Sequence, residues 1–356
     1  MMPGHGHGGH DHIMVDGVDV HIMRLPNGRV MCHLLMFQQF DTTEELAAVL
    51  RRERGRLWDT FVAPRVTGAG VITRPNIYDL GDAELSELIH AVREIKNNGV
   101  YDDFVRRHDA VMSDTSNIHA GPAFLPWHRV FIHEFEQALQ TVSAGLRLPF
   151  WNWADDAAAG KSAPLWQTQG ARTYFGGDGD PKTNIVTSGP CADWRILMHT
   201  PQAPVYRSGL GLLRSLGQDA ATLPQLNRLR QVLSVQPYDS APWDYRSDTS
   251  RSFRNALEGF AETGSAMHNR VHVWIGGDME MPTSPSDPVF FLHHAFVDCI
   301  WAAWQKLHPS ESYLPASGGP PCQNIDDRMP HLWSATTPRQ TLDTVSMGYQ
   351  YPALAL

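Results

Sequence analysis

The rhythm of apolar and polar positions changes once along the chain. Over residues 12–40, "HIMVDGVDVHIMRLPNGRVMCHLLMFQQF", apolar and polar residues alternate around turn signals at "DG" and "PNG". A period of two with such breaks predicts a β-hairpin or meander. "DTTEELAAVLRRERGRL" then opens with a capping-type start and takes up the helical period, predicting one helix. Residues 13–61 therefore read as a small α+β domain, and residues 62–76, with Pro and Gly but no helical period, as a linker. In residues 77–356 helices dominate, in "GDAELSELIHAVREIKNNG", "VYDDFVRRHDAVMSD", "PWHRVFIHEFEQALQTVSAG", "SFRNALEGFAETGSAMHNRVHVW" and "DPVFFLHHAFVDCIWAAWQKLHP". Long Gly/Pro/Asp-rich connections separate them, notably over 154–249, and no repeat of fixed period is evident. The fold class is mainly α, with a small α+β unit at the front.

Composition narrows the classes. With 356 residues, 42% hydrophobic and 11 Trp, the chain can bury a sizeable core. No apolar run reaches the ~18 residues of a membrane-spanning helix. "MMPGHGHGGHDH" has neither a basic n-region nor an apolar h-region, which favours the cytoplasm, although a mature secreted form would read the same way. A net charge of −9 offers no basic footprint for nucleic acid. Cys32, Cys191, Cys299 and Cys322 lack CxxC spacing, so neither a zinc ribbon nor a disulfide framework is expected. Histidine changes the picture: 18 of them stand against 29 Lys plus Arg, and metal becomes the first suspicion. Residues 1–12 read as a His-rich flexible tail in which His5, His7, His10 and His12 are open to a metal, as those of an ordinary affinity tag would be.

Two regions concentrate the candidate ligands. In "GSAMHNRVHVWIGG", His268 and His272 are four apart, about 40° around a helix, so both rings can reach one point. His293 and His294 follow on another helix; neighbours point about 100° apart, and pattern alone does not choose between them. The first region, "RRHDAVMSDTSNIHAGPAFLPWHRVFIHEFEQAL", offers His108 late in a helix, His119 in a loop and His128 in the first turn of the next helix. His133 lies about 140° from His128 and is set aside. Two sets of three imidazoles, without a completing carboxylate or thiolate, favour copper over magnesium, calcium or structural zinc. HExxH, the mark of many zinc hydrolases, is absent.

"HAGPAFLPWHRVFIHEFEQAL" and "MHNRVHVWIGG…DPVFFLHHAFVDCIWAAWQ" resemble the two copper-binding motifs of bacterial tyrosinases, which are type-3 copper proteins, and the likeness runs from about Ile72 to "GYQYP". The resemblance implies a helical core around a dicopper centre that takes O2 as co-substrate, hydroxylates monophenols and oxidises o-diphenols to o-quinones. It implies His108, His119 and His128 as ligands of one copper, and His268, His272 and His294 as ligands of the other. Phe290 would pack on the site, while Glu258 and Asn269 would orient a water that takes the phenol proton. Asn117 stands where fungal relatives carry a thioether-linked cysteine, so no such crosslink is expected, and Cys299 is expected in the core. "VDGVDVHIMRLPNGRVMCHLLMFQQFDTTEELAAVLRRE" is similar to the caddie proteins that accompany actinobacterial tyrosinases, deliver copper and insert an aromatic ring into the active site; Phe37 falls where their tyrosine sits. A fused caddie-like domain would make a separate caddie unnecessary. An o-aminophenol oxidase or a catechol oxidase is the close alternative with a phenolic or aminophenolic substrate, and an oxygen carrier the more distant one.

Overall fold

The structure, a computed structural model, describes residues 10–15, 18–25, 27–32, 39–52, 70–169, 172–209, 211–261 and 264–354. The chain divides into two compact units, Met1–Gly68 and Ala69–Leu356.

In the first unit the alternating stretch forms an antiparallel sheet, β1 (His10–Val15), β2 (Val18–Arg24) and β3 (Val30–Cys32), followed by helix α1 (Thr43–Arg52). One set of alternate positions, Val15, Val20, Ile22, Val30 and Cys32, is buried against Leu46, Ala47 and Leu50 of α1. The register pairs His12 with His21, and His10 with Met23, which in turn pairs with Met31. β1 begins at His10, so His10–His12 of the stretch read as tail extend a strand rather than precede it. Helix α1 starts with reciprocal caps: Thr42 Oγ1 accepts from the Glu45 N–H at 3.1 Å, and Glu45 Oε2 accepts from the Asp41 N–H at 3.0 Å.

The second unit opens on β4 (Ile72–Thr73), which pairs in parallel with β5 (Tyr349–Gln350) near the C-terminus. Residues 72–76, read as the end of the linker, therefore belong to the second unit. Arg74 is fully buried there, 2.7 Å from Glu136, 3.5 Å from Asp298 and 2.8 Å from the Tyr351 hydroxyl. A buried ion pair leaves no trace in apolar periodicity, which is why this segment reads as a connection.

Between these strands run α2 (Asp82–Asn97), α3 (Val100–Ser113), α4 (Phe124–Gln140), α5 (Leu226–Leu233), α6 (Phe253–Glu258), α7 (Met267–Ile275) and α8 (Val289–Leu307). Helices α4 and α8 pack along each other, α2 covers α3 and α4, and α7 lies against α6 and α8. Phe135 of α4 stacks on Phe291 of α8, ring centroids 3.4 Å apart, and the Phe104, Phe131 and Tyr101 rings close around Phe291. Helix α8 is apolar on nearly every side because it is buried on nearly every side. Among the described residues no helix is long and apolar enough to cross a membrane.

The stretch 252–274 is not one helix. Gly259, at φ 98°, ends α6, and a short hairpin, Phe260–Ala261 with Gly264–Ser265, precedes α7. A Cβ on Gly259 would run into the backbone of Ala266, so glycine is required both for its dihedral and for the close approach. At the far end of α7, Gly276 holds φ 69° and leaves room for Ser215.

Candidate metal centre

Four helices and one loop bring the predicted histidines together. His108 lies on the buried side of α3, His119 in the following loop, and His128 on α4. Their ring centroids are 4.9, 4.8 and 5.7 Å apart. On α7, His268 and His272 sit one turn apart with centroids at 4.6 Å, as four-residue spacing on a helix requires. His294 of α8 lies 4.8 Å from His268 and stacks on His128 at 4.2 Å, linking the two sets. Within each set the potential ligand atoms lie within 4.8 Å of one another.

His293 also joins the second set. It stacks on His268 at 5.0 Å, lies 5.1 Å from His272, and neither of its ring nitrogens has a hydrogen-bond partner among the described residues. The helical angle between neighbours does not keep both from the cluster, because an imidazole swings on two side-chain bonds. His133, by contrast, lies outside both sets: it stacks on Tyr349 and meets Gln137 at 2.7 Å.

The hydrogen bonds set the tautomers. His108 Nδ1 donates to the Pro282 carbonyl at 2.7 Å, His128 Nδ1 to the Phe124 carbonyl at 2.9 Å, and His272 Nδ1 to the Met279 carbonyl at 2.6 Å. His268 Nδ1 donates to Asn269 Oδ1 at 2.9 Å. Since a carbonyl oxygen can only accept, each proton sits on Nδ1 and each Nε2 presents a lone pair. The Nε2 atoms of His108, His128 and His272 are buried without a partner among the described residues, and those of His268 and His294 face each other at 3.3 Å. Buried orphan acceptors cost stability unless something binds them. Burial also holds every ring neutral, pushing His108 down to about 3 and His272 to about 4, with His119, His128, His268, His293 and His294 well below the usual histidine range. Neutral imidazoles with second nitrogens oriented by carbonyls suit a soft or borderline transition metal, so the residues fit copper.

A cavity of about 240 Å³ opens onto both sets, with His108, His119, His268 and His272 at its base. Asn269, Val273 and the buried Met279 form part of its wall, and the exposed Met112, Glu280 and Met281 its rim. The rim residues are not singled out by the sequence, although Met112 follows His108 by four positions and so shares its helical face. Phe290 is fully buried, 5.0 Å from the His108 ring and 4.1 Å from that of His294.

Glu258, at the end of α6, is buried and does not line the cavity. Its carboxylate accepts from the Ala120 N–H at 2.6 Å and from Arg254 at 3.0 Å. Burial pushes it up to about 7 against the opposing pull of those two donors. Asn117 takes φ 51° in the loop before His119, and Cys299 is a buried free thiol. Phe37 lies outside the described residues.

Two imidazole sets converging on one cavity in a helical fold make a centre that could hold two metal ions. The common central domain of tyrosinase matches residues 98–307. A tyrosinase from Streptomyces glaucescens is 42% identical over 279 residues, covering 76% of this chain and 95% of its own. Grixazone synthase from Streptomyces griseus is 36% identical over 305 residues, covering 77% and 97% respectively. Among solved structures, a polyphenol oxidase variant from Thermothelomyces thermophila superposes with a TM-score of 0.61 at 25% identity, over 87% of this chain and 94% of that one. The chain belongs to the tyrosinase family.

Proposed function

We propose that the protein is a phenol oxidase that hydroxylates monophenols and oxidises o-diphenols to o-quinones with O2. One copper ion would be held by His108, His119 and His128, the other by His268, His272 and His294, with His293 stacked behind His268. Bound copper would supply the capacity to take up O2 and exchange electrons with a phenol. The observation that carries this reading is the orphaned Nε2 atoms of His108, His128 and His272 in a histidine cluster beside a cavity that four of the histidines line. Asn269 orients His268 and forms part of the cavity wall, while Phe290 packs against rings of both sets and keeps water from behind them. Glu258, with a proton affinity near neutrality, suits a base that takes the phenol proton through water. Oxygen uptake by copper-loaded protein given a monophenol, a catechol and an o-aminophenol in turn tests the reading. Consumption of both phenols supports it, and consumption of none with two coppers bound overturns it.

One observation favours a second reading, an o-aminophenol or catechol oxidase without hydroxylase activity. Glu258 is committed to Ala120 and Arg254, and the Asn269 oxygen to His268, which leaves fewer free lone pairs to position a water. Turnover of the catechol or the aminophenol alone would establish it.

We also propose that the first unit acts as a fused caddie, loading copper and filling the pocket with Phe37, so that no separate chaperone chain is required. The strand register, which pairs His12 with His21 and His10 with Met23, supports the loading role, since it brings residue types that copper prefers to paired positions of the sheet.

A further inference from the structure

The cavity's rim carries a charge that the oxidase reading does not use. Among the described residues lining it, Glu280 is the only carboxylate, and no lysine or arginine accompanies it. Asp219 lies near enough that, after partial burial, its negative charge helps to raise the Glu280 carboxyl. Around Glu280 stand three thioethers: Met279 is buried, while Met112 and Met281 are 41% and 45% exposed. Methionine sulfur packs adaptably against aromatic edges, so this rim can hold an aryl ring without dictating its substituents. A carboxylate at the mouth, on the side of the substrate away from the metal-bound ring, favours a cation and disfavours an anion on the substrate's side chain, relative to an uncharged residue in its place.

We propose that Glu280 is a specificity-determining residue, and that the enzyme prefers phenols and catechols bearing an ammonium group over those bearing a carboxylate. The proposal rests on the phenol oxidase reading and names the substrate class of that site. Because Glu280 is largely exposed, solvent screening limits its influence, and a discrimination of about tenfold is expected rather than an absolute choice.

The test uses the copper-loaded full chain and three catechols that differ in side-chain charge: dopamine, 4-ethylcatechol and 3-(3,4-dihydroxyphenyl)propionate. The ratio of kcat/KM for the ammonium substrate to that for the carboxylate should be about ten at low salt. It should shrink in about 1 M salt, where the screening length falls to about 3 Å. Glu280→Gln should lower the ammonium value, raise the carboxylate value and bring their ratio below about three. A ratio near one in the parent protein, a reversed order, or an unchanged ratio in the variant overturns the proposal while leaving the oxidase reading intact. Inactivity toward all three catechols with two coppers bound overturns the oxidase reading and this proposal with it.

Discussion

At the residue scale, the centre is a problem of proton placement. Four imidazoles donate Nδ1–H to oxygens of Pro282, Phe124, Met279 and Asn269, and these bonds aim their second nitrogens at the site before any metal arrives. The six proposed ligands were legible from residue type, helical spacing and likeness to known motifs. The acceptors were not, because a backbone carbonyl has no signature in sequence and Pro282 is 174 positions from His108. The same holds for Glu258, which reads as an acidic partner of Asn269 but folds as a buried carboxylate bound to Ala120 and Arg254. If it nevertheless serves as the base, Glu258→Gln should slow monophenol hydroxylation about a hundredfold and catechol oxidation less than about threefold, at unchanged copper content. In the parent protein, monophenol kcat/KM should fall as pH drops through about 7, where the carboxylate takes up a proton. That acid limb should vanish in the variant. Equal losses on both substrates would assign Glu258 to holding the Ala120 loop instead.

At the element scale, the site depends on how helices are started and stopped. Helices α2, α3, α4 and α8 were readable because their amphipathic or apolar periods run for three turns or more. The break between α6 and α7 was not, because both flanks carry helix-forming residues and one glycine decides the matter. The Arg74 segment reads as linker for a different reason: its burial rests on charge. Arg74 ties β4 to Glu136 of α4 and Asp298 of α8, while Arg129 reaches the same Asp298 at 2.5 Å. Burial by itself would raise the Glu136 carboxyl; Arg74, with His133 nearby, overrides it and holds the group at about 2. A lowered native pKa contributes stability that is complete above the unfolded value of 4.5 and is lost as pH falls toward 2. Urea midpoints measured across this window should therefore drop with acid in the parent protein. Arg74→Gln should cost about 3–5 kcal/mol near neutrality, since it strands buried carboxylates, and should flatten the acid dependence. A variant with the same slope as the parent would show that Glu136 is held down by something other than Arg74.

At the scale of the whole molecule, a sheet-and-helix unit and a helical oxidase unit share one chain. The change from a period of two to helical periods makes both units visible in sequence, but their boundary was placed too late, because β4 already belongs to the oxidase. A tethered unit has an effective concentration on the order of millimolar at its neighbour, so Phe37 would hold the pocket much of the time. Phenylalanine carries no hydroxyl and would not be consumed. Cleaving the loaded protein between residues 62 and 69, or introducing Phe37→Ala, should raise catechol turnover several-fold, on the order of the tethering advantage lost. Unchanged turnover at full copper occupancy would remove Phe37 from the pocket.

Each of the two imidazole sets is proposed to hold one copper. Anomalous diffraction at the copper edge from copper-loaded crystals measures this directly. The account predicts two peaks in the oxidase unit, one bonded to His108, His119 and His128, the other to His268, His272 and His294, with His293 unbonded. A single peak, peaks away from the orphaned Nε2 atoms, or His293 replacing His294 as ligand would contradict it.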